Sequence, residues 1–169
     1  VHMVVRTSSV YGRAAEGHGT TPFVERMLER ALAGQETRVV TDQVVSPTWA
    51  DDLARAIWGL LDCGGSGVFH AAGSGEGTWF DVAAAAFKAA GARKLLAPTT
   101  AAEFGAPAKR APYTALDNAR LRGLGLPELP PWQESLGRYL RTAHPDLPGL
   151  DSFTGACHHT ATWPEPDLP

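Results

Sequence analysis

Cysteine is nearly absent from this 169-residue sequence: Cys63 and Cys157 stand alone and far apart. Two thiols with no spacing pattern exclude a disulfide framework and fit a reducing, cytoplasmic setting. No basic run is long enough to follow a phosphate backbone, and the net charge is −3, so nucleic acid is not an expected partner. No apolar run approaches the roughly 20 residues of a membrane-spanning helix, and no membrane partner is expected. The first residues, Val1 to Val10, lack the basic start and long apolar middle of a secretion signal.

Several chemical signatures are missing as well. No Gly-x-Gly-x-x-Gly follows a strand, and none of Tyr11, Tyr113 and Tyr139 has a lysine four residues on. There is no Gly-x-Ser-x-Gly and no phosphate loop ending in Gly-Lys-Ser/Thr. The nearest glycine cluster, Gly73-Ser74-Gly75-Glu76-Gly77, has the wrong spacing for a dinucleotide, and Trp79-Phe80 puts bulk where a pyrophosphate would approach. It reads better as a strand-to-helix turn. Cys157-His158-His159 has no companion cluster, so no specific metal site is expected.

What is present alternates between short β-branched runs and amphipathic ones. Apolar residues make up 44% of the chain, enough to fill a core. Val4–Val10 reads as a strand, Arg38–Thr41 as a second, Val68–Ala72 as a third and Lys94–Leu96 as a fourth. Phe23, Val24, Met27, Leu28, Ala31 and Leu32 form one helical stripe closed by Gly34. Thr48 and Asp51 have the spacing of a helix cap before Leu53, Ile57 and Leu60, and Thr78 and Asp81 repeat it before Val82 and Phe87. Pro98–Pro112 reads as irregular, Asn118–Leu124 as a short helix, and Pro130-Pro131-Trp132 as the start of a last helix with Leu136, Tyr139 and Leu140 inward. From Pro145 to Pro169 proline recurs without apolar period, which predicts a disordered tail. The class is α/β.

Single residues carry little chemistry on their own. His70 lies within a strand and reads as a satisfied core or edge histidine. Asp51 is accounted for by capping and by the helix dipole, which leaves the Asp51-Asp52 pair little claim to acid–base work. Lys109-Arg110 lies in a Pro-bounded loop, either as an exposed basic pair or as an anion clamp.

Taken in order, VVRTSSVYG, TPFVERML, VVTDQVVSPTWADDLARAI, GVFHAAGSGEGTWFDVAAAAF, PAKRAPYTALDNARL and LPPWQESLGRYL resemble the C-terminal part of the dTDP-4-dehydrorhamnose reductases. These are extended short-chain dehydrogenase/reductases. The resemblance runs from about Met3 to Leu140 and implies an incomplete Rossmann sheet plus a small substrate-binding lobe, spanning residues 1–144. It implies a dTDP-sugar as substrate and NADPH or NADH as hydride donor, and leaves room for a homodimer. In the family the glycine motif and the Tyr-x-x-x-Lys pair precede the RTS strand, so no catalytic residue is expected in this chain. By itself it is expected to be inactive.

The resemblance also implies site residues. Ser8, Ser9, Val10 and Tyr11 would lie beside the nicotinamide and sugar, with Ser8 and Val10 on the cofactor side. Phe23 and Val24 would begin a helix under the substrate. The Pro47-Thr48 corner would fix the chain direction and leave the Gln43 amide free to meet a sugar or phosphate. Arg110 would approach the nucleotide. This sequence departs from the family at Ser9, usually tryptophan, at Pro22, often asparagine, and at Val45, often glycine. Those departures leave open a related keto-sugar reductase and a non-catalytic nucleotide-sugar-binding or regulatory module; a third reading is a partial product without function of its own.

Overall fold

A computed structural model of the chain describes residues 2–13, 21–105 and 108–153. Its strands pair two by two. β1 (Met3–Arg6) runs parallel to β6 (Gly67–His70), with Val4 beside Val68 and Val5 beside Phe69. β2 (Val10–Tyr11) is parallel to β5 (Thr48–Trp49), and β3 (Thr37–Val40) to β8 (Leu96–Thr99). β4 (Val44–Val45) is antiparallel to β7 (Gly77–Thr78). Parallel pairs joined through helices give the α/β class that alternating apolar periods predict.

The helices are α1 (Phe23–Leu32), α2 (Ala50–Asp62), α3 (Trp79–Ala89), the single turn α4 (Ala101–Phe104), α5 (Ala119–Gly123) and α6 (Trp132–Ala143). None of the described helices is long and apolar enough to cross a membrane. The larger core joins Val24, Met27 and Leu28 of α1 with Val82, Ala86 and Phe87 of α3 and Leu136, Tyr139 and Leu140 of α6. A smaller core packs Ala56 and Leu60 of α2 and Leu121 of α5 against Phe69, with Met3 and Val5 at its margin. Burying a Leu or Phe side chain contributes about 2 kcal/mol, so the expected apolar stripes are what fasten these helices.

Two helix starts with the same spacing behave differently. At α3 the Thr78 hydroxyl accepts from the Asp81 N–H at 3.1 Å and the Asp81 carboxylate accepts from the Thr78 N–H at 2.8 Å, a complete capping box. At α2 the expected Thr48 cap does not form. Thr48 is fully buried in β5, and its hydroxyl donates to the Ser46 carbonyl and accepts from the Gly73 N–H, both at 3.0 Å. Trp49 occupies the position before the helix and makes no side-chain cap. Strand pairing with Val10 fixes Thr48 in extended backbone and aims its hydroxyl across the sheet.

Other expectations shift for similar reasons. The single strand over Val4–Val10 is two strands, because the chain leaves β6 after Arg6 and joins β5 at Val10. Ser9 makes that turn with φ of 48°, left-handed backbone that few non-glycine residues adopt. The fourth strand begins only at Leu96, after a 3-10 turn over Arg93–Leu95. It carries Pro98, which a strand with one hydrogen-bonded neighbour tolerates. The segment expected as irregular from Pro98 therefore holds the end of β8 and all of α4.

The stretch after Pro145, expected as disordered tail, is packed as far as Phe153. A 3-10 turn over Leu150–Phe153 sits on α6, the Gly149 N–H donates to the Ala89 carbonyl at 2.8 Å, and Leu147, Leu150 and Phe153 cover the larger core. Three apolar side chains with helix termini to bond are enough to order it, despite the prolines. The remainder, with Cys157-His158-His159, lies outside the described residues.

Candidate functional site

The end of β3 and the start of β4 carry the chain through Asp42 and Gln43. The Gln43 carbonyl accepts from the Trp79 N–H at 3.3 Å, which seats the start of α3 beside it. Val44 bonds on both sides of Tyr113: its N–H donates to the Pro112 carbonyl at 2.8 Å and its carbonyl accepts from the Thr114 N–H at 2.9 Å. These backbone bonds draw the Arg110 segment alongside Gln43. With α1 on one side and α4 on the other, they enclose a cleft of about 550 Å³.

The lining is of two kinds. Phe23, Trp79 and Phe104 supply aromatic surface, and Arg26, Arg30, Arg38 and Arg110 supply guanidinium groups. The Phe23 and Trp79 rings meet at 4.5 Å between centroids, tilted by 59°. Arg30 donates to the Thr37 hydroxyl at 2.9 Å and to the Glu36 carbonyl at 3.4 Å. Arg38 donates to the Thr99 hydroxyl at 2.8 Å and lies 3.6 Å from the Glu103 carboxylate. The Thr100 N–H, then the Thr99 hydroxyl, hold the Glu103 carboxyl below the usual glutamate range, with Arg38 a lesser cause.

The other two guanidiniums, Arg26 and Arg110, have no side-chain hydrogen bond or ion pair among the described residues. Only 8% of Gln43 is exposed, and its side-chain amide has no partner among the described residues. Gln43 lines the cleft, so its amide can bond to a ligand there.

Of the residues the sequence singles out, Phe23, Gln43 and Arg110 come together in this cleft. Ser8, Ser9, Val10, Tyr11, Val24, Pro47 and Thr48 do not line it. Ser8 is buried, with its hydroxyl accepting from the Ser46 N–H at 3.4 Å. Pro47 and Thr48 are fully buried and hold the β5 corner against Gly73. Val24 is in the larger core. Tyr11 is in that core too, its ring edge-on to Tyr139 at 5.5 Å. Burial, and then the Asp52 carboxylate, push its hydroxyl well above the ordinary tyrosine value.

Two other polar groups are structural. Asp52 accepts from the Ser135 hydroxyl at 2.5 Å and from Arg138 at 2.7 Å, inside the fold. The His70 Nδ1 lies 3.2 Å from the Asp117 carbonyl, at the edge of its strand. Arg26, Arg30, Arg38, Trp79 and Phe104 are cleft residues that sequence reasoning missed. The first two carried a signal: Phe23, Arg26 and Arg30 recur at i, i+3 and i+7, one face of α1 beside the buried stripe.

The glycines of the Gly73–Gly77 turn are packed against protein. A Cβ at Gly73 would collide with the Pro47 carbonyl, and one at Gly77 would sit 3.0 Å from the Trp132 ring. These glycines admit neighbouring protein.

Residues 1–144 match the family described as the RmlD substrate binding domain. The chain is 38% identical over 146 residues to a probable dTDP-4,6-dihydroxy-2-methyloxan-3-one 4-ketoreductase of Streptomyces antibioticus, covering 85% of this chain and 46% of that protein. It is 38% identical over 135 residues to the dTDP-4-dehydrorhamnose reductase of Mycolicibacterium smegmatis, covering 79% of this chain and 40% of that one. The crystal structure of dTDP-4-dehydrorhamnose reductase from Bacillus anthracis in complex with NADP superposes with a TM-score of 0.76 at 32% identity, over 83% of this chain and 48% of the other. The chain thus spans about half the length of the relatives it matches. With the α/β fold and the whole of residues 1–144 in agreement, this chain belongs to the RmlD substrate-binding-domain family.

Proposed function

We propose that this chain is the nucleotide-sugar-holding part of an NAD(P)H-dependent reductase that acts on a dTDP-4-keto-6-deoxy sugar in dTDP-rhamnose biosynthesis. The observation that carries this reading is a cleft lined by Gln43 together with Arg26 and Arg110, whose guanidiniums have no side-chain hydrogen bond or ion pair among the described residues. A diphosphate offers anionic oxygens that guanidinium forks match in geometry and charge. A cleft of about 550 Å³ lies within the range of small-molecule sites. Phe23, Gln43 and Arg110 are the contact residues we assign. The relatives named as reductases support reduction over a purely regulatory role.

The reaction needs a hydride delivered to the keto carbon and a proton delivered to its oxygen. A proton donor must stand within hydrogen-bond reach of that oxygen. The ionisable side chains lining the cleft are arginines, which do not release a proton near neutral pH. The Gly73–Gly77 turn, the nearest glycine cluster to a dinucleotide motif, is packed against Pro47 and Trp132. In this reading the chain binds and orients the nucleotide sugar, and the nicotinamide and the acid come from the further length of a complete family reductase.

Calorimetric titration of the purified chain with dTDP tests the reading. Binding is expected, and Arg110→Ala and Gln43→Ala are each expected to weaken it severalfold. NADPH oxidation in the presence of the keto sugar should stay at background. Absence of dTDP binding overturns the nucleotide assignment, and turnover by the chain alone overturns the division of labour.

A further inference from the structure

The cleft's two kinds of lining are not mixed at random. Arg30 is bonded to Thr37 and Glu36, and Arg38 to Thr99 with Glu103 beside it. Those two guanidiniums are committed to the protein. Arg26, Arg110 and the Gln43 amide remain for anionic oxygens. The aromatic side is similarly divided. Phe23 and Trp79 pack on each other, half-buried, as a floor. Phe104 lines the same cleft yet is 57% exposed and has no ring partner among the described residues.

An exposed phenyl in a cleft that also holds guanidiniums offers a planar ligand a stacking surface. Its backbone, by contrast, is firmly held. Phe104 is the last residue of α4, and α4 is fixed at its start. Both Asp42 carboxylate oxygens accept from the Ala101 N–H at 3.0 Å. Thr100 and Glu103 form a capping box, and Glu103 also faces Arg38. Gly105 then turns the chain away in left-handed backbone, φ 65°. A single helical turn has no stability of its own, so Asp42 and the Arg38–Glu103 contact set where Phe104 stands.

We infer that Phe104 is the nucleobase-contacting flap of this cleft, positioned by Asp42 and by the Arg38–Glu103 contact, in a cleft that the Phe23–Trp79 pair also lines. This rests on the nucleotide-sugar reading above and deepens it. The diphosphate lies toward Arg26, Arg110 and Gln43, and the base is covered by Phe104. Arg38 is a positioning residue and not a phosphate ligand.

The test compares two probes, dTDP and inorganic pyrophosphate, by calorimetry on the full chain. Aromatic stacking on a base contributes about 1–3 kcal/mol, so Phe104→Ala is expected to weaken dTDP about fivefold or more. Pyrophosphate affinity should change less than about twofold, and Phe104→Trp should restore dTDP. Asp42→Ala removes a carboxylate that repels anions, so a purely electrostatic role predicts tighter dTDP binding. The flap predicts the opposite: the ratio of dTDP to pyrophosphate affinity falls. Unchanged dTDP binding by Phe104→Ala, or equal loss of both probes, overturns the flap while the wild-type dTDP affinity keeps the nucleotide reading. Failure of the wild-type chain to bind dTDP overturns both.

Discussion

Arg138 on α6 donates to both carboxylate oxygens of Asp52 on α2, at 2.7 Å each, across 86 positions of sequence. The Ser135 hydroxyl fills a further site on the same carboxylate, and Arg55 stands at 3.5 Å. Asp52 is buried, so removal of its charge leaves Arg138 with a hydrogen bond unmade and a cation without its counter-charge. Breaking a buried pair from one side costs about 3–5 kcal/mol. Asp52→Ala should therefore lower the unfolding free energy by about that amount, while Asp51→Ala, on the exposed side of the first turn, should change it little. Equal effects at the two positions would show that the pair is not what joins α2 to α6.

Tyr11 and Tyr139 touch edge to face, yet their hydroxyls differ. The Tyr139 hydroxyl donates to the Glu25 carboxylate, which His144 Nε2 also meets at 2.9 Å. The Tyr11 hydroxyl is buried with no partner among the described residues. An unmade buried hydrogen bond costs about 1–3 kcal/mol, and one made to a charged group contributes about 1.5–3 kcal/mol. Tyr11→Phe should leave stability unchanged or raise it by about 1 kcal/mol, and Tyr139→Phe should lower it by about 2 kcal/mol. Urea unfolding of the two variants decides, and a destabilised Tyr11→Phe would reveal a bond that the fold must supply.

Both hydroxyls also bear on alkaline stability. Burial pushes the Tyr139 hydroxyl up, with the Glu25 bond adding to it, and burial followed by Asp52 does the same for Tyr11. A folded value above the unfolded one means that the stabilising contribution is whole below about pH 10, the ordinary tyrosine value. Above it the unfolded chain releases protons that the folded chain keeps, so stability falls as pH rises. The denaturant midpoint should be level from about pH 7 to 9 with respect to these groups and decline beyond about pH 10. Tyrosinate absorbance should appear together with unfolding, and Tyr11→Phe should make the decline shallower. A midpoint indifferent to pH in that window would contradict the burial of both rings.

The parts of the fold that were legible in the sequence are those fixed by local chemistry. The α1 stripe, the Thr78–Asp81 box and the inward face of α6 need only the periodicity of one segment. Thr48 shows what locality misses: it has the spacing of a cap, but strand pairing with Val10 and a bond to Gly73 claim it first. The site divides likewise. Phe23, Gln43 and Arg110 were found through resemblance in separate segments, and only the backbone bonds of Gln43 and Val44 bring them to one cleft. Phe104 was not legible, since its segment reads as irregular and its anchor, Asp42, lies 59 positions before the Ala101 N–H it holds.

One face of the β1–β6 pair is bare. Val5 and Phe69 turn toward α2 and α5, while Val4 and Val68, neighbours in the register, are 45% and 40% exposed on the other side. Among the described residues β1 also has β6 as its one hydrogen-bonded neighbour, so its outer edge offers unpaired N–H and C=O groups. Parallel strands are ordinarily covered on both faces, and an open apolar edge recruits other chains. The isolated chain should therefore self-associate as its concentration rises, measurable by light scattering. Val4→Thr with Val68→Thr keeps the β-branched shape and the inward face intact, so the circular dichroism should not change while the association weakens. A wild-type chain that stays monomeric at high concentration, or a double variant that associates as strongly, would show that this face is not the source.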